Sequence, residues 1–505
     1  MESSAMGKPS SPEPLASGKP GRERGLPLVV LSLLAAIVAA SFAVLQPDLF
    51  HVDFDRSAYT LGALVVVLGL GWQLFAHPRL ALPLLVLLVY LNLSQALVRH
   101  QGLPSVLQLL MLPIAIVAWR EGSWRELARR PPPLAVLSLA YGLVLLVSST
   151  YAREPALADE RIVETGKAIL LFLLVVLLVA TRARFLAAMW SAVGAAALLA
   201  ALGLFQVATG DFDRDFGGLA RVKNAQIYAE VFEPRIAGPL GDPNFFAQIL
   251  LIAVPLAVSL AWGERRPLLR AAAWVCAGLT AVGCAFTYSR GGTVALGAAL
   301  VAFFAGRRPR LRDAVAVAVL AALVVALLPS AFEKRLLTMT ELFSNGEEVL
   351  DPDSSMEERR LFTATAWQLF RDHPWLGVGA GNYTAHYQKT SDAIGSDSRE
   401  YSEEGLPHYP HSLYLEIAAE TGLLGTFTFA AIVALSLWQV TVARGRLRRL
   451  DRPLEADAAA GVRAALVGYL VAAILLHGHF LRYLWLLFAL VAAVDRLATD
   501  RDGQR

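Results

Sequence analysis

The stretch HYPHSLYLEIAAETGLLG, residues 408–425, joins a long polar segment, Ser330 to Pro410, to an apolar run long enough to cross a bilayer. His411 therefore falls where water meets the membrane. Pro410 stops any helix from the left and Ser412 suits an N-cap, which predicts a helix beginning here with its unpaired N–H groups near His411. A positive helix end disfavours imidazolium, so a neutral imidazole facing outward is expected, the state a general base needs. A lone interfacial histidine capping a helix gives the same pattern. Glu416 and Glu420 lie four apart on this helix, hence on one face. Ionisable groups inside a span are costly and usually functional or paired. Glu416, one turn in, reads as wet; Glu420 is deep enough to orient an arginine or a substrate hydroxyl.

Composition extends this reading to the whole chain. With 505 residues, 56% hydrophobic and 17% charged, and a mean hydropathy of +0.52, the chain is too apolar for a soluble protein. The expected fold is all-α, a polytopic bundle of roughly 12–14 spans with a large loop outside the cytoplasm containing short helices. The runs are Leu26–Gln46, Ala58–Ala76, Leu80–Leu97, Leu103–Trp119, Leu134–Thr150, Thr165–Ala180, Phe185–Ala208, Phe245–Trp262, Ala271–Tyr288, Thr293–Ala305, Ala314–Leu328, Leu413–Ala443, Val462–Phe480 and Leu484–Leu497. Cys276 and Cys284 share one run, roughly 12 Å of helix rise apart, beyond disulfide reach.

Orientation follows the arginines. Alternate short loops carry Arg120–Arg130, Arg182 and Arg184, Arg265–Arg270, Arg307–Arg312 and Arg444–Arg452, which marks that side as cytoplasmic. The expected organisation is a disordered cytoplasmic tail (1–25), an N-terminal transmembrane bundle (26–329), a periplasmic loop (330–410), C-terminal transmembrane helices (411–498) and a second cytoplasmic tail (499–505). The opposite face holds nearly every residue with chemical potential. Without ATP there, a reaction must draw on a substrate that arrives already activated.

In the large loop, Met356–Asp372 reads as an amphipathic helix with Leu361, Ala364, Trp367, Leu369 and Phe370 on its apolar side, able to lie along the membrane surface. His373-Pro374 ends it. GVGAGN, 377–382, reads as a flexible turn, and no strand precedes it as a dinucleotide fold requires. Ser391–Glu404 reads as a mobile loop. Arg235, Arg290, Arg359 and Arg360 come from separate segments of this face, and guanidinium groups suit diphosphate because their planar fork donates paired hydrogen bonds. Snorkelling or a solvated helix face would explain each one singly. His408, His411, His477 and His479 invite a zinc reading, but Pro410 breaks the register and no carboxylate or cysteine spacing completes a site.

Taken together, RIAGPLGDPNFFAQ (235–248), YSRGG (288–292), HPWLGVGAGNY (373–383) and HSLYLEIAAETGLLG (411–425) resemble the O-antigen ligase and polymerase family, over roughly Ala271 to Leu435 with the Arg235 segment added. The resemblance implies a metal-independent, inverting glycosyltransferase of the inner membrane, with both termini cytoplasmic. It would use a glycan carried on undecaprenyl diphosphate at the periplasmic face to build surface polysaccharide. It implies His411 as base, with Arg235 and Arg290 holding the diphosphate. Arg360 is a weaker match, because Arg359 beside it fills the same place. Many members have His-Asn where this chain has His411-Ser412. The acceptor would be a glycan or lipid, the setting a lipid bilayer with polysaccharide-assembly proteins, and no cofactor, metal or nucleic acid is expected. A flippase or transporter, or a scaffold of the same machinery, is the competing reading. No internal repeat of the transporter kind is visible.

Overall fold

The computed structural model describes residues 56–121, 123–228, 231–305, 311, 315, 318, 354–393, 408–478 and 481–499. The tail 1–25, Leu26–Gln46, most of Ala314–Leu328, the loop up to residue 353, residues 394–407 and His479 lie outside them.

Helix α1 (Arg56–Ala76) ends before Pro78, as a residue preceding proline favours. A short 3-10 turn (Pro78–Leu80) leads into α2 (Ala81–Leu91), bent 116° from α1. Asn92, left-handed at φ 53°, then separates α2 from α3 (Leu93–Gln101). What reads in sequence as two straight spans is thus a bent pair and a short extension. Next come α4 (Val106–Arg120), α5 (Ser123–Arg129), α6 (Pro133–Ser149), α7 (Pro155–Leu178) and α8 (Arg182–Thr209), the last capped by the Thr181 hydroxyl.

The loop after α8 departs from the all-helical expectation. Its Val, Ile and Tyr residues favour a pleated surface, and it forms an antiparallel hairpin of β1 (Arg221–Tyr228) and β2 (Val231–Gly238), with Lys223 opposite Arg235. Helices α9 (Pro243–Gly263), α10 (Pro267–Phe286) and α11 (Arg290–Phe304) follow. Both free cysteines lie on α10. Helices α12 (Ser354–Asp372) and α13 (Tyr383–Ala393) belong to the large loop, before α14 (Leu413–Arg449), α15 (Pro453–Ala472) and α16 (Arg482–Thr499).

Helix α9 is buried almost end to end and packs on α8, α10, α11 and α15. A second group sets α16 against α7 and α14, with α14 also touching α6 and α12. Among the described residues, α8, α9, α10 and α14 are long and apolar enough to cross a membrane, with a fifth if the bent pair counts as one span. Of the roughly fourteen runs of the sequence, Leu26–Gln46 and most of Ala314–Leu328 lie outside the described residues, and two further reasons account for the rest of the difference. Several break into short helices, and α7, α15 and α16 carry charged residues within their length. The protein is an all-α polytopic membrane protein.

Candidate active site

The glycine-rich turn and the break in α14 form one unit. Helix α14 is interrupted at Gly422 (φ 61°, ψ −157°), which frees backbone groups on either side. The 374–379 segment takes them up. Val378 and Gly379 donate N–H to the carbonyls of Ala419 (2.9 Å) and Glu420 (3.0 Å), while Leu423 and Leu424 donate to Pro374 (2.7 Å) and Trp375 (3.4 Å). A side chain at Gly422 would come within 2.5 Å of the Trp375 backbone, and one at Gly379 (φ 108°) within 2.8 Å of Ala152. GVGAGN is therefore a packed splice rather than the flexible turn read from sequence. Asn382, fully buried, accepts the Glu154 N–H (2.7 Å) and donates to the Glu154 carbonyl (3.2 Å), clamping the turn to the start of α7.

Beneath this splice lies a buried ionic triad. The Arg161 guanidinium, on α7, pairs with Glu416 and lies 3.8 Å from Glu420. Glu416 also accepts the Gly478 N–H, and Arg161 donates to the Gly478 carbonyl at 3.3 Å. Glu420 accepts the Gly381 N–H at 2.9 Å. Glu416 is only 2% exposed, which overturns its reading as a wet residue: the break at Gly422 turns the first two helical turns into the floor of the loop. Glu420 does orient an arginine, and that arginine is Arg161. The sequence reading passed over Arg161, although its place among the charges before an apolar run was the available signal.

His411 sits just before α14 in a left-handed conformation (φ 48°). Ser412 occupies the N-cap position but makes no side-chain cap bond, and the Leu413 N–H donates instead to the carbonyls of Ala473 (3.0 Å) and Leu476 (2.8 Å). The expected neutral imidazole has a different cause from the helix end. Burial chiefly, with the Arg359 guanidinium, pushes the His411 pKa down to about 4, against the opposing Asp242 carboxylate. The ring stacks on Phe362 (centroids 5.5 Å) and meets His477 edge-on (5.7 Å). His477 lies flat against Tyr409 (4.3 Å) and edge-on to Phe245 (5.0 Å), and Tyr387 stacks on His408 (4.4 Å). His411 and His477 are thus brought together within an aromatic wall. Among the described residues no group of three metal-ligating side chains is gathered.

The wall rests on α12. That helix buries Phe362, Thr365, Ala366 and Leu369 and leaves Ala364 and Trp367 exposed, a rotation of the face read from sequence. It packs on α14 through Ala419, with Tyr383 donating to the Phe362 carbonyl (2.9 Å). Arg359 is half-buried near His411, and Arg360 is exposed.

The other two arginines line the same end. Asp242 caps α9 by accepting the N–H groups of Asn244 (2.8 Å) and Phe245 (3.2 Å), and its charge reaches His411. Arg235, 6% exposed, donates from Nε to the Thr287 carbonyl (2.8 Å) and from Nη2 to Asn244 (3.3 Å). It ties β2 to α9 and to the turn before α11. Arg290 opens α11 behind the Ser289 cap, beside Gly291, whose side of the helix meets Leu475. His411 thus meets His477 of the loop 473–478 and feels the charges of Arg359 and Asp242, and Gly291 beside Arg290 faces Leu475 of the same loop, while the side chain of Arg360 is exposed.

Residues 271–430 match the family model described as Wzy_C, O-antigen ligase. No curated protein matches the chain. The matched region runs from α10 through the break in α14 and holds Arg290, Arg359, His411 and both carboxylates of the triad; Arg161, Arg235 and His477 lie outside it. This segment of the membrane protein is similar to the O-antigen ligase family.

Proposed function

We propose that the protein is a membrane glycosyltransferase that moves a glycan from an undecaprenyl-diphosphate carrier to an acceptor hydroxyl at the periplasmic face. The observation that carries this reading is the placement of His411 within the matched segment, stacked on Phe362 and edge-on to His477, where burial and the Arg359 charge favour its neutral ring. The neutral ring takes the acceptor proton as the new bond to the anomeric carbon forms. The bond from that carbon to the diphosphate oxygen breaks, and the charge growing on the diphosphate is met by Arg290 and Arg359. Attack opposite the leaving group inverts the anomeric centre, and the leaving diphosphate supplies the driving force. Arg235, largely committed to the protein, contributes charge and fixes Asn244 rather than offering a free fork. Arg360 is exposed to solvent.

The test is the surface glycan ladder of cells lacking the protein, complemented with native or His411→Ala protein at matched expression. Loss of the ladder to single units with the variant identifies a polymerase. Long chains retained on the carrier identify a ligase. Full complementation by His411→Ala would remove the catalytic reading in favour of transport or scaffolding.

A further inference from the structure

Arg444, near the far end of α14, is 6% exposed. Its Nη1 donates to the Ala305 carbonyl (3.4 Å), while Nε and Nη2 are buried with no hydrogen-bond acceptor among the described residues. Those two N–H groups form the side-on fork of the guanidinium, the edge that binds an oxyanion through two parallel hydrogen bonds. The surroundings add positive charge. Arg448, one turn along the same helix face, and Arg463 of α15 both act on Arg444 as like charges. Arg463 is occupied by the carbonyls of Ala302 (2.7 Å) and Ala305 (3.3 Å) at the end of α11. Asp495 of the neighbouring α16 is taken by Arg446 (3.8 Å) and Gln439 (3.3 Å). Among the described residues no carboxylate pairs with Arg444.

An unpaired buried cation is one of the costlier arrangements in a protein, and it persists where something outside the chain neutralises it. A bias of basic residues towards one membrane side accounts for exposed arginines such as Arg448 and Arg449. It does not account for one withdrawn from solvent with its fork empty. The partial negative charge of the α11 C-terminus meets only one edge of Arg444. We infer that the Arg444 fork, flanked by Arg448 and Arg463, is a binding site for a phosphate group, at the end of α14 opposite to His411. A phosphate offers two oxygens to the fork and others to the flanking guanidiniums, and its charge suits a cluster that a single carboxylate would leave unbalanced. The group can arrive as the headgroup of an anionic lipid or as free phosphate, and the site recognises the same chemistry in both.

The test uses the full-length protein in nanodiscs in phosphate-free buffer, read as the thermal unfolding midpoint. Native protein is measured in phosphatidylcholine alone, with phosphatidylglycerol added, and in phosphatidylcholine with inorganic phosphate. Arg444→Met removes the fork at similar volume, and Arg449→Gln removes one exposed charge from the same helix end. The expected result is a rise of several degrees for native protein and Arg449→Gln, absent in Arg444→Met, which in phosphatidylcholine alone melts no lower than native. A rise with phosphatidylglycerol only identifies a lipid headgroup; a rise with inorganic phosphate as well identifies a site open to the free ion. No rise with either overturns the site. An equal loss of the rise in Arg449→Gln, or a drop in Arg444→Met of the same size in all conditions, overturns it too, because the first is generic surface charge and the second a packing role.

Discussion

Arg161 and Arg444 are both withdrawn into the protein, at opposite ends of α14, and they are answered differently. Arg161 meets two carboxylates and the Gly478 carbonyl, so its charge is matched by the chain itself. Arg444 meets one carbonyl edge-on and two other arginines. A matched buried cation is a strut: it fixes α7, α14 and the 473–478 loop under His411. An unmatched one is an unfinished contact. The same residue type thus builds a rigid floor at one end of the helix and the proposed phosphate site at the other.

The largest effect is expected above the floor. His411→Ala removes the only general base that the proposed reaction has, and turnover should fall by about 100- to 10,000-fold, with binding of the lipid-linked glycan retained. Turnover assayed with purified protein and lipid-linked donor checks this, and loss of donor binding in step with turnover would reassign His411 to a substrate-holding role.

Next comes the strut. Arg161→Met leaves Glu416 and Glu420 buried side by side without a cation, and removing one partner of such a pair costs about 3–5 kcal/mol. A strongly lowered unfolding midpoint is expected, partly restored when Glu416→Gln is added. Arg444→Met in a zwitterionic bilayer should cost nothing by comparison. Equal losses from the two substitutions would erase the contrast between the ends.

A smaller effect tests the splice. Gly379→Ala places a methyl against the Ala152 backbone at φ 108°, a strain of about 1–3 kcal/mol. A modest drop in melting temperature together with weakened turnover is expected, since the same turn holds Glu420 through Gly381. Unchanged turnover at lowered stability would separate the splice from the chemistry.

The sequence made much of this legible, and the omissions have physical causes. Pro410, the apolar run after Ser412 and the amphipathic α12 could be read because helix punctuation and periodicity are local signals. The expectation that His411, Arg235 and Arg290 share one face rests on loop topology alone. The partner of Glu420 was invisible because Arg161 lies 255 residues from Glu416 and nothing local in either segment names the other. The break at Gly422 was hidden inside an apolar run that reads as one span, since it is stabilised by backbone groups of residues 374–379 and not by its own side chains. His477 reads as a lone histidine until the fold lays it between Tyr409 and Phe245. The hairpin at 221–238 was lost in a segment whose turn residues dominate its composition.

The finest prediction concerns the sign of a charge effect. The His411 ring is a base only when neutral, so kcat/KM should fall on the acid side as pH drops through about 4 in the free enzyme. Arg359 lowers that pKa, so Arg359→Gln should move the acid limb to higher pH. Asp242 raises it, so Asp242→Asn, which keeps an N-cap side chain for α9, should move the limb lower still. A diphosphate bound in the site acts on the ring with the sign of Asp242. The acid limb of kcat, which reports the bound complex, should therefore lie above that of kcat/KM. This has a chemical consequence: a ring held near 4 keeps its lone pair at neutral pH but is a weak proton acceptor, and the arriving donor strengthens it at the moment it is needed. Opposite shifts from the two variants, with the two limbs in that order, are the signature of His411 as the titrating group; shifts of the same sign would mean that another group sets the profile.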